Sequence, residues 1–64
     1  MMEMMSFARK IQNGGAWDFR YTAKENDQGG WDLYFRGERF GEAPDRHEAE
    51  IQFDLHAEME DGLI

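Results

Sequence analysis

The segment 47–62, HEAEIQFDLHAEMEDG, decides the fold. Counted in twos it alternates without a fault. Ala49, Ile51, Phe53, Leu55, Ala57 and Met59 are apolar, and every residue between them is polar. That is the pattern of a half-buried strand. Its flanks point the other way. Asp45-Arg46-His47-Glu48 has the D-x-x-E form of a capping box, with Asp45 as N-cap and Glu48 at N3. Gly62 stands where a C′ glycine ends a helix, and Leu63 follows as a packing partner. Between the caps lie Ala, Glu, Gln, Leu, Met and His, with only Ile51 and Phe53 as strand formers. Two caps and propensity outweigh one periodicity, so a helix is expected. A helical wheel sorts the apolar residues into two stripes, Ile51-Leu55-Met59 and Ala49-Phe53-Ala57.

Upstream, Met4, Met5, Ala8, Ile11 and Gln12 fall at helical spacing, with Phe7 beside them, and Asn13-Gly14-Gly15 follows. This predicts a short first helix over 4–12, ended by residues that tolerate the left-handed conformation. Residues 16–22, AWDFRYT, alternate Trp17, Phe19 and Tyr21 against Asp18, Arg20 and Thr22, the mark of a strand with one aromatic face. A polar loop is expected over 23–30. Residues 30–36, GWDLYFR, repeat the alternation. Gly37-Glu38 then fits a type II′ turn that sets Phe35 opposite Phe40 and Arg36 opposite Arg39. A short third strand runs to about Ala43.

The expected architecture is α+β: an N-terminal helix, a three-stranded antiparallel sheet and a C-terminal helix (α-β-β-β-α), in one domain spanning 1–64. Its aromatic face, Trp17, Phe19, Trp31, Leu33, Phe35 and Phe40, is covered by helix. The other face, Asp18, Arg20, Thr22, Asp32, Tyr34, Arg36 and Arg39, is wet or partly covered through Phe53.

A chain of 64 residues buries only ~60% of its unfolded surface, so its core is thin. It has no cysteine, which excludes disulfides and thiolate metal sites. The start, MMEMMSFARK, lacks the basic and apolar regions of a secretion signal. No apolar run approaches the ~18 residues of a membrane span. Nine aromatics, 14% of the chain, argue for a packed core rather than disorder.

The net charge of −7 is unevenly placed. Residues 1–41 hold six acids and six bases; residues 42–64 hold eight acids and one base, Arg46. On a helix, Glu50, Asp54, Glu58 and Asp61 share one arc, and Glu48 and Glu60 extend the acid row. Like charges one turn apart, and acids near a helix C-terminus, both destabilise a helix. Acids at every turn stand ~5–6 Å apart, close to phosphate spacing. Such a rail fits a Lys/Arg-lined groove and competes there with nucleic acid, whereas the chain lacks the basic footprint to bind nucleic acid itself.

Catalytic readings are poorly supplied. Ser6 and Thr22 are the only residues of their types, and neither lies in a nucleophile motif. His47 with Glu50 and Asp54, or His56 with Glu60, has metal-ligand spacing on a helix, but exposed groups of these types usually face water. No metal, cofactor or enzymatic activity is therefore expected.

In its length, its lack of cysteine, its isolated α/β fold and its acid row Glu48, Glu50, Asp54, Glu58, Glu60 and Asp61, the chain resembles the small acidic phage-encoded inhibitors, above all the anti-CRISPR proteins. The resemblance is one of type over the whole chain, without a shared motif. It implies a non-enzymatic inhibitor in the cytoplasm of a bacterial host. That inhibitor would bind a CRISPR surveillance complex, at an effector subunit, and block its basic DNA channel without touching nucleic acid or membrane. The alternative is a small adaptor module that binds a protein partner through Tyr34, Arg36 and Arg39 on the sheet.

Overall fold

The computed structural model describes residues 5–11 and 15–62. Four strands precede one helix: β1 Ser6–Lys10, β2 Trp17–Glu25, β3 Trp31–Phe35, β4 Glu38–Ala43 and α1 Arg46–Asp61. The strands form one antiparallel meander in the order β1-β2-β3-β4, and α1 packs on one face. The architecture is α+β in the order β-β-β-β-α.

The expected first helix is therefore wrong. Ser6–Lys10 is an edge strand paired with β2, Phe7 opposite Ala23 and Ala8 opposite Thr22. The ends of the expected helix, Met4 and Gln12, lie outside the described residues. A segment so short gains little as an isolated helix. As a strand it satisfies the backbone of a nine-residue neighbour that otherwise has a bare edge. Phe7 fits a helical spacing as well as a strand, and in the strand it meets Trp31 edge-on at 4.8 Å and Phe53 at 5.9 Å.

β2 runs three residues past the expected strand end. Ala23, Lys24 and Glu25 pair with Leu33, Asp32 and Trp31, so the loop shrinks to 26–30. Asn26 closes it by accepting from the backbone of Gln28 and Gly30. Gly30 is required here: a Cβ on it would lie 2.7 Å from the Ala43 carbonyl oxygen.

Two register shifts depart from expectation, the first in the face that β2 buries and the second in the pairing of β3 with β4. Ala8 pairs with Thr22 but Arg9 pairs with Asp18, so Phe19, Arg20 and Tyr21 bulge from β2 with nothing opposite on β1. A bulge reverses the alternation of faces. Tyr21 is fully buried, whereas Phe19 is 75% exposed, Trp17 is 49% exposed and Asp18 only 7%. At the other hairpin the turn is Arg36-Gly37, not Gly37-Glu38. Both residues have positive φ, 51° and 87°, as a type I′ turn requires. Phe35 then pairs with Glu38 and Tyr34 with Arg39. A shift between Leu33 and Tyr34 leaves Phe40 as the extra residue and returns it to the helix side, where it packs 6.1 Å from Tyr21.

The core comprises Tyr21, Ala23, Leu33, Ala43, Ala49, Phe53 and Ala57, ringed by Phe7, Trp31, Phe35 and Phe40. Four alanines, Ala49 and Ala57 on α1 and Ala23 and Ala43 on the sheet, let α1 approach closely. Asp45 caps α1 as expected, accepting from the Glu48 amide at 2.9 Å. Gly62 ends it differently from expectation. Its φ is −99°, not left-handed, and it donates to the Glu58 carbonyl at 2.8 Å. The proposed packing partner, Leu63, lies outside the described residues.

Candidate functional site

The acids of α1 divide into two groups. The first is tied to the sheet. Arg9, on the helix side of β1, donates from Nε to Asp54 at 2.9 Å and from Nη1 to Asp18 at 2.8 Å. Arg20, lifted by the β2 bulge, grips both oxygens of Asp18 at 2.9 Å. It reaches on to Asp61 at 3.1 and 3.3 Å. The five side chains form an alternating chain, Asp54-Arg9-Asp18-Arg20-Asp61. It clamps the middle and the end of α1 onto β1 and β2. The acid at the helix C-terminus is thus compensated by a cation distant in sequence.

The chain sets the proton affinities. Hydrogen bonds from Arg20, helped by Arg9 and opposed by burial, hold Asp18 down at about 2. Asp61 is lowered by its hydrogen bonds from Arg20. Arg20 is raised, chiefly by Asp18. Burial pulls Arg9 down, but its bonds to Asp54 and Asp18 more than reverse this. Nearby, burial raises the phenol of Tyr21, whose Oη lies 2.7 Å from Nδ1 of His56.

The second group is not tied to these cations. Glu58 and Glu60 are exposed, and among the described residues neither has a cation within ion-pair distance. Glu48 is half-buried at the first turn and is likewise unpaired. Glu50 is only loosely joined to Arg46, at 3.9 Å. The expected four-acid rail Glu50, Asp54, Glu58 and Asp61 is therefore interrupted, because Asp54 and Asp61 belong to the clamp.

Tyr34 and Arg36, expected to serve binding, are not brought together with the helix acids. Tyr34 lies on the open sheet face beside Arg39, with the Lys24 ammonium 5.4 Å from its ring. Arg39 is shared between Asp32 and Glu42, each at 3.4 Å. Arg36 sits in the β3–β4 turn, its guanidinium 5.4 Å from the Phe35 ring. On the open face the bulge also exposes Phe19, beside a shallow hollow walled by Ser6, Ala8, Thr22 and Lys24.

Of the two apolar stripes of α1, the sheet covers only Ala49-Phe53-Ala57. Ile51, Leu55 and Met59 are 40, 55 and 64% exposed. The alternation that opened the segment carried this signal. Residues two apart on a helix stand about 200° apart, so apolar residues at every second position make two opposite apolar faces. One sheet covers one of them.

Among the described residues no three His, Asp or Glu side chains converge as a metal site, and no helix is long and apolar enough to cross a membrane. No protein-family model, curated protein or solved structure matches the chain.

Proposed function

We propose that this chain is a non-enzymatic binding protein that docks through α1 onto a basic, nucleic-acid-binding surface of a protein partner and occludes it. The observation that carries the reading is the charge of α1: six acids against one arginine, with Glu48, Glu58 and Glu60 left without a cation among the described residues. Opposite fields steer such a pair together and make the association salt-sensitive. The resemblance to anti-CRISPR proteins names the first target to try, the DNA channel of a CRISPR surveillance complex. The protein should compete with target DNA there, less well as salt rises. The double variant Glu58→Lys/Glu60→Lys should bind about tenfold or more weakly and flatten the salt dependence. Unchanged competition by that variant would refute the reading.

The open sheet face supports a second reading, an adaptor that binds a protein through Tyr34 and its neighbours. Phe19, exposed beside the hollow of Ser6, Ala8 and Thr22, favours it. Such binding would be nearly insensitive to salt.

A further inference from the structure

The stripe Ile51-Leu55-Met59 follows one line along α1 at four-residue spacing, about 12 Å from end to end. It lies opposite Phe53, so the core packing among the described residues does not use it. Glu48 stands one turn before Ile51 and Glu58 one turn after Leu55, beside Met59, so carboxylates mark both ends of the stripe. The cation of the same helix is turned elsewhere: the Arg46 guanidinium lies 4.2 Å over the Phe7 ring, on the sheet side.

We infer that Ile51, Leu55 and Met59 are the contact stripe of a helix-in-groove interface, and that the groove is apolar in its floor and lined with Lys or Arg at its rim. This rests on the proposed binding through α1 and adds the feature that acids alone do not supply, a desolvated centre inside a charged rim. Charge complementarity selects the occupant. Two copies joined stripe to stripe would bring Glu48 and Glu58 of each against the other's, and among the described residues neither has a cation to offset this. A groove with a basic rim satisfies the same carboxylates while covering the stripe.

The test uses two synthetic helical peptides, labelled for fluorescence anisotropy. One presents Leu at four-residue spacing with Lys on either side; the control keeps every Lys and replaces Leu with Gln. The wild-type protein should bind the Leu/Lys peptide about tenfold more tightly than the control at the same salt. Leu55→Gln, at an exposed position, should abolish that preference while keeping the affinity for the control and the unfolding midpoint. Equal affinity of the wild type for the two peptides would overturn the stripe and leave the charge-based reading standing. So would a preference that survives Leu55→Gln. Failure to bind either peptide at low salt would overturn both. Sedimentation of the protein alone decides against a second copy: a concentration-dependent dimer that Leu55→Gln dissolves would assign the stripe to self-association and refute the basic-rimmed groove.

Discussion

Arg20 holds both carboxylate oxygens of Asp18, two residues away on the same strand, through Nε and Nη2 at 2.9 Å each. In a regular strand, residues two apart share a face but do not bend back on one another. The β2 bulge makes the grip possible, and Arg9 closes it from the neighbouring strand. Removing the carboxylate leaves two guanidinium groups facing each other in a partly buried setting. Asp18→Ala should therefore destabilise the protein by about 2–3 kcal/mol, read from urea denaturation at neutral pH.

The same carboxylate predicts a pH dependence. Its affinity for protons falls from an ordinary 3.8 to about 2 on folding. The unfolded chain therefore binds the proton more readily. The stabilisation is complete above pH 4 and is lost as pH falls through 2. Asp61, lowered in the same direction, acts alike. Stability should decline across this window by about 1–2 kcal/mol from Asp18, the exposure of Arg20 leaving some screening. Urea denaturation of wild type and Asp18→Asn between pH 2 and 5 checks it; the variant should show the shallower decline.

The two stripes of α1 should respond oppositely to truncation. Phe53, fully buried and in contact with Phe7, Tyr21 and Phe40, should cost about 3–5 kcal/mol when changed to alanine. Leu55→Ala should stay within about 0.5 kcal/mol of wild type. Thermal unfolding of the pair decides which stripe is the core.

Two local substitutions examine the ends of elements. Asp45→Ala removes the acceptor of the Glu48 amide and should cost about 1 kcal/mol. Gly30→Ala drives a methyl group against the Ala43 carbonyl at 2.7 Å and should lower the melting temperature, although alanine is otherwise the milder residue in unfolded-chain entropy.

Much of the fold is legible in the sequence where local signals agree. Asp45 and the composition after it place α1 within a residue of its observed start, and the aromatic alternation finds β2, β3 and β4. The failures have a common cause. The face of Phe19, the partner of Phe35 and the Arg36-Gly37 turn depend on which residue is left out of pairing, and a bulge carries no residue-type signature strong enough to set the count. β1 is strand because β2 offers it an edge, a tertiary fact that five residues do not encode. At the candidate site, the acids are evident from composition. Their division is not, because the partners of Asp54 and Asp61 lie 45 and 41 residues away.

Those two separations bear on the order of folding. Every strand pairs with its neighbour in the chain, so the meander can grow hairpin by hairpin with little loop closure. The Arg9–Asp54 and Arg20–Asp61 bonds join its first two strands to the helix that follows the fourth, and they form only after α1 has settled on the sheet. They should be absent from the transition state. Breaking them should leave the refolding rate nearly unchanged and speed unfolding, so the charged clamp sets how long the native state lasts rather than how fast it is reached.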